Sequence, residues 1–259
     1  MATFAPQFDL FKIINRLSSF GQLLFWAILF FSTTPLFCKD FCEKNNLNDT
    51  INILNIIGIS LFFCIELINE FILLPQADNK RRDDFIDNSF GSKFSTNNSI
   101  GYYDNDEINN GLYKASVNLF ENCFFTYSLV KTTTISKIIM PTIMLLLTIV
   151  LAFYGFKQVP IALTVLQAIF SANILGLLIK HFILLNRLSS IQDTWILLFQ
   201  NSDLKTDTQK YQTHIYKYWL QYETLHSKIN AGIPDKTFAK NNVSLTEEWK
   251  KLKQKYNIA

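Results

Sequence analysis

Charge is scarce in this chain. Of its 259 residues only 17% are Asp, Glu, Lys or Arg, against about a quarter in a soluble domain. Hydrophobic residues make up 49% and aromatic residues 15%. That balance excludes an ordinary soluble domain and points to a membrane protein with soluble portions. Histidine and cysteine are as sparse. His181, His214 and His226 are scattered, and none of Cys38, Cys42, Cys64 and Cys123 forms a C-x-x-C pair. Neither a metal site nor a disulfide framework is therefore expected. Cys38 and Cys42 could bridge if they face an oxidising compartment, although an i, i+4 pair lies at the edge of disulfide geometry and disfavours it. There is no G-x-S-x-G, no phosphate-cradling glycine loop and no H-E-x-x-H, so the chain reads as a non-enzyme with no cofactor. The net charge of +3 is too small to imply polyanion binding by itself. No cleavable signal peptide is expected, since the first apolar stretch runs into TTPLFCKD without a small-x-small site.

What is abundant is long apolar runs. A membrane helix needs about 20 predominantly apolar residues, and four segments meet or approach that: 20–37, 51–74, 135–156 and 159–185. The last two form a close hairpin around Gly155 and Lys157. Four spans put residues 38–50 and 157–158 on one side, where only Lys39, Lys44 and Lys157 are basic. Nearly all other Lys and Arg lie with the termini and residues 75–134. By the positive-inside rule both termini are cytoplasmic. The expected fold is all-α: residues 1–74 with two spans, a cytoplasmic insertion at 75–134, a hairpin of spans at 135–185, and cytoplasmic helices at 186–259.

The second span carries a polar stripe. At about 100° per residue, Asn52, Asn55, Glu66, Asn69 and Glu70 fall on one face. Ionised groups in hydrocarbon cost a few kcal/mol each, about 2.5–3.5 on insertion scales, so they should face helices or water. One reading has Glu70 reaching the interface and Glu66 bonding a neighbouring helix. The other has the stripe line a water-filled path built by several copies of the chain. A weaker polar face, Thr164, Gln167 and Ser171, is read as helix packing.

The second span is followed at once by Lys80, Arg81, Arg82, Asp83 and Asp84. The three cations suffice to lock the span's orientation. They also form the densest basic cluster, able in a ring of subunits to hold phosphates, with Tyr102 or Tyr103 stacking a base. Asp83, Asp84 and Asp87 could pair with neighbouring arginines to set the geometry of that ring. As divalent-metal ligands they are disfavoured by the intervening arginines. Helices are expected at 112–132, capped near Asn110 and packed through Tyr113, Val117, Phe120 and Phe124; at 205–231; and at 244–256, opening on a Ser244–Glu247 capping box. In the second of these, Ile215, Tyr218, Tyr222, Leu225 and Ile229 form either a coiled-coil seam or an intrachain helix pair.

In the run ADNKRRDDFIDNSFG, the pair GYYDND and the segment ASVNLFENCFF leading into the third span, the chain resembles the SMODS-associated four-transmembrane effectors of bacteria, and among them those of Hailong-type anti-phage systems. The likeness covers nearly the full length. It implies an oligomeric inner-membrane effector, with a tetramer favoured, encoded beside a nucleotidyltransferase. That enzyme's nucleotide or short DNA oligomer opens or closes the effector, and the bilayer is depolarised so that infection aborts. The alternative is a non-conducting membrane scaffold that recruits a cytoplasmic partner. A small transporter is disfavoured by the lack of an inverted repeat.

Overall fold

A computed structural model describes residues 4–44, 47–103, 105–154 and 172–258. The chain is all-helical. Helix α1 spans Phe8–Phe37, α2 Lys39–Lys44 and α3 Leu47–Ile68, followed by a wide π-type turn at Asn69–Leu73. Then come α4 (Leu74–Phe90), α5 (Leu112–Tyr154) and, after a second π-type turn at Ala172–Gly176, α6 (Leu177–Phe199). A 3-10 turn at Thr208–Tyr211 precedes α7 (Gln212–Lys228), and α8 covers Asp235–Lys255. Among the described residues four helices are long and apolar enough to cross a membrane: Phe8–Pro35, Leu47–Phe90, Leu112–Leu146 and Ile174–Phe199. The protein is a multi-pass membrane protein. Of the expected fourth span only residues 172–185 are described; the turn at Gly155 and Lys157, and Thr164, Gln167 and Ser171, lie outside the described residues.

Several expected boundaries move. The helix expected at 112–132 and the third span are one helix, α5. Its start is set by Gly111 rather than Asn110: the Gly111 carbonyl accepts from the Ala115 N–H, and its φ of 148° suits only glycine. The helix expected at 205–231 is shortened to α7. The last helix begins nine residues before Ser244, at Asp235, with Pro234 as its extended N-cap residue and the Asp235 carboxylate in the first turn. Ser244 is thus interior, and its hydroxyl donates to the Asn241 carbonyl rather than capping an end. All four cysteines are free thiols.

The chain divides into two compact units, one made of Met1–Lys12, Pro75–Thr134 and Lys180–Ala259, the other of Ile13–Leu74 and Ile135–Ile179. The first holds all but five of the 24 basic residues, the exceptions being Arg16, Lys39, Lys44, Lys137 and Lys157. Its core is aromatic: Phe85, Phe120, Trp195, Phe199, Tyr222 and Trp249 are all buried, and each large side chain withdrawn from water contributes roughly 1.5–3 kcal/mol. Val117, Phe120 and Phe124 of the expected stripe are buried there, with Tyr113 packed against them. Ile215 and Tyr222 of α7 face the same core, with Tyr218, Leu225 and Ile229 beside it. The seam of α7 is therefore an intrachain contact.

The second unit inverts that pattern. Phe153 is 86% exposed, Phe71 68% and Leu23 63%, an apolar surface that only lipid or other membrane helices can cover. Here α1 and α3 lie antiparallel. Asn69 meets Ser18, Gly21 meets Phe62 and Ile65, and Gly58 meets Ile28. Gly58 serves close approach, the usual device where helices pack in lipid. A methyl on Gly58 would come within 2.9 Å of Ile28 Cγ1, whereas one on Gly21 would meet nothing nearer than 3.6 Å.

Candidate functional site

The polar stripe of α3 divides across its own packing. Ile51, Gly58, Ile65 and Asn69 are the buried positions, at spacings of seven, seven and four, so they face α1. Asn69 is 5% exposed and its Nδ2 donates to Ser18 Oγ at 3.3 Å. Asn55 is half-buried on the same side. These two are turned into the chain's own helix pair, a correction to a stripe facing one way. Asn52, Glu66 and Glu70 stay exposed along the edge of that pair. Gly21 makes room there: a methyl on it would lie 3.6 Å from Glu66 Oε1. The wide turn at Asn69–Leu73 shifts everything after it relative to an unbroken α-helix, and Glu70 lies within it.

In the other unit the basic cluster is built into the fold. Asp78, Arg81 and Arg82 recur at i, i+3 and i+4, hence on one face of α4, and α7 brings Glu223 and His226 against it. Arg81 Nη1 donates to Glu223 Oε1 at 3.1 Å and Nη2 to Oε2, while Arg82 Nε donates to Oε2 at 3.0 Å. Asp78 lies 3.6 Å from Arg81 Nε, 3.7 Å from Arg82 Nη2 and 3.5 Å from His226 Nδ1. Burial alone would raise the Glu223 carboxyl, but Arg81 and Arg82, with His226, hold it below the usual carboxylate range. Asp78 behaves likewise, burial being overcome by His226, Arg81 and Arg82. Burial would lower the Arg81 guanidinium, yet Glu223 drives it further up, so it stays charged.

This corrects the expected ligand set. Arg81 is 6% exposed and its fork is taken by Glu223, so it offers nothing to a phosphate. Tyr103 is 5% exposed, accepts a hydrogen bond from Asn122 Nδ2 at 3.2 Å, and packs edge-on to Phe85 and Tyr102; no ring face is left for a base. Lys80 is exposed, Arg82 half-exposed, and Tyr102 half-buried against Phe8. The acids have another task too. Asp87 accepts the N–H groups of Phe94 and Ser95, and Asp84 that of Ser99. They pin the loop after α4 to its own helix instead of setting a ring. Burial would raise Asp87, but those two N–H groups hold it low. Burial does raise Asp84, with Asp87 adding to it.

Sequence reasoning missed Glu223 and His226. The one available signal was that Glu223 is the single acidic residue between Asp207 and Asp235, placed next to the seam residue Tyr222. Comparison with protein-family models, curated proteins and solved structures gives no match.

Proposed function

We propose that the chain is a bacterial inner-membrane effector of anti-phage defence, with both termini cytoplasmic. Its copies, most simply four, assemble so that Asn52, Glu66 and Glu70 line a water-filled path. Controlled by a nucleotide or short DNA oligomer from a partner nucleotidyltransferase, the path depolarises the membrane and aborts infection. The observation that carries this reading is the exposure of Glu66 and Glu70 on a helix otherwise coated with exposed Ile, Leu and Phe. A carboxylate facing hydrocarbon costs about 2.5–3.5 kcal/mol on insertion scales. Water in an oligomeric vestibule removes that cost.

The signalling half of the proposal draws on the resemblance to SMODS-associated effectors. Lys80 is the exposed cation of the basic segment that an anionic ligand would meet first; Arg82, half-exposed, already bonds Glu223 and Asp78, and Tyr102 is half-buried against Phe8.

Ion flux from liposomes holding the purified protein tests the pore. Wild type should conduct, with nucleotide oligomers changing the flux, and Glu66→Gln with Glu70→Gln should alter conductance and abolish toxicity in cells. Wild-type flux and toxicity in the double variant would remove the acidic path. A protein that carries no ions but still recruits a cytoplasmic partner would be the scaffold instead.

A further inference from the structure

A groove of about 860 Å³ runs between α6 and α7. Its walls combine two chemistries. Ile183, Leu220, Leu225 and Ile229 are apolar, and Arg187, Lys217 and Lys228 are cationic. No acidic residue lines it: Asp193 of α6 and Glu223 of α7 both point elsewhere, the latter to Arg81. The three cations are exposed, and no ion pair among the described residues neutralises them.

The groove has a direction. Trp195 and Tyr218 meet with ring centroids 5.6 Å apart, and the chain reverses between α6 and α7, so the helices are antiparallel. The C-terminal end of α7, with Lys228 and Ile229, therefore lies level with Ile183 and Arg187. Ile183 belongs to the last turn of the expected fourth apolar span, and Arg187 follows one turn, about 6 Å, later. Lys217 sits eleven residues before Lys228, about 16 Å away along α7. Two cations thus share the membrane-proximal end, and the third is out of reach of a group bound there.

We propose that this groove holds an acidic phospholipid of the inner leaflet, its phosphate between Arg187 and Lys228 and its glycerol and upper acyl carbons against Ile183 and Ile229. Charge complementarity demands an anion, and the apolar wall favours one with a hydrocarbon part. The position at the end of an apolar span supplies it from the bilayer. A free phosphate would satisfy the cations and leave the wall unused. A long polyanion would engage Lys217 as strongly as Lys228.

The test uses the full chain in detergent, titrated with phosphatidylglycerol or phosphatidylcholine, with bound lipid counted by native mass spectrometry. Phosphatidylglycerol should be preferred about thirtyfold, as two interfacial cations imply. R187E/K228E should remove the preference, K217E should keep most of it, and inorganic phosphate should not compete. R187Q/K228Q, with its helix content checked by circular dichroism, gives the same reading if charge reversal impairs folding. Equal binding of both lipids by wild type, or full preference in R187Q/K228Q, overturns the proposal. Loss as large in K217E identifies an extended polyanion site instead. Displacement by inorganic phosphate identifies a free-anion site.

Discussion

Arg81 and Glu223, 142 residues apart in sequence, form a two-pronged ion pair between α4 and α7, with Arg82 sharing one of the carboxylate oxygens. Such a pair is costly to break from one side, because the remaining charge is buried alone; the penalty is about 3–5 kcal/mol. Arg81→Ala and Glu223→Ala should each lower the melting temperature of the detergent-solubilised protein sharply. Arg81→Met with Glu223→Leu should recover much of the loss, since apolar replacement of a whole buried pair is often neutral. A double variant as unstable as the sum of the singles would mean the two side chains do not interact.

The same contact sets the response to acid. Asp78 and Glu223 are held below their ordinary values, through partners that overcome burial. A lowered acid contributes stability that is present above its unfolded-state value and lost as pH falls through its folded-state value. The thermal midpoint should thus be flat near neutrality and fall below about pH 4. Glu223→Gln should start lower and show a shallower acid limb. An acid limb as steep in that variant as in wild type would place the protonating groups elsewhere.

Asp84 and Asp87 sit one turn apart and should respond oppositely to neutralisation. Asp84 is raised, by burial first and by Asp87 as well, so its charge is a liability that grows as pH rises. Asp84→Asn keeps an acceptor for the Ser99 N–H and removes the repulsion; it should be neutral or slightly stabilising at neutral pH. Asp87 is lowered by two backbone donors despite its burial, and Asp87→Asn gives up charge-assisted bonds worth about 1.5–3 kcal/mol. Melting curves of the two variants would decide it, and equal losses would refute the distinction.

What the sequence made legible was whatever depends on local composition. Among the described residues, helices long and apolar enough to cross a membrane and the helical spacing of Val117, Phe120 and Phe124 both reappear in the structure. Boundaries were lost where local signals competed. Ser244 and Glu247 look like a helix start, but Pro234 and Asp235 begin the helix earlier and the core contact of Trp249 carries it through. The candidate sites were least legible because burial is a tertiary property. Nothing near Arg81 announces Glu223, and nothing in the pair Tyr102 and Tyr103 says which ring turns inward. The stripe on α3 reads as one face in the sequence, yet it divides according to where α1 lies: Asn69 meets Ser18, whereas Glu66 and Glu70 stay exposed.

The two glycines of that helix pair give the sharpest remaining contrast. Alanine gains roughly 1 kcal/mol over glycine in a helix, so substitution helps unless the methyl meets an obstacle. At Gly21 the methyl finds ordinary contact at 3.6 Å, and Gly21→Ala should be tolerated. At Gly58 it would stand 2.9 Å from Ile28 Cγ1, close to the backbone of a β-branched side chain that has little freedom to yield. Overpacking of this kind costs about 1–3 kcal/mol, so Gly58→Ala should loosen the contact between α1 and α3, while Gly58→Ala with Ile28→Val should restore it. Gly21→Leu probes function at the same interface: its larger side chain fills the space beside Glu66 and should alter liposome flux at unchanged expression. Flux identical to wild type in Gly21→Leu would mean that the Glu66 carboxylate does not border the conducting path.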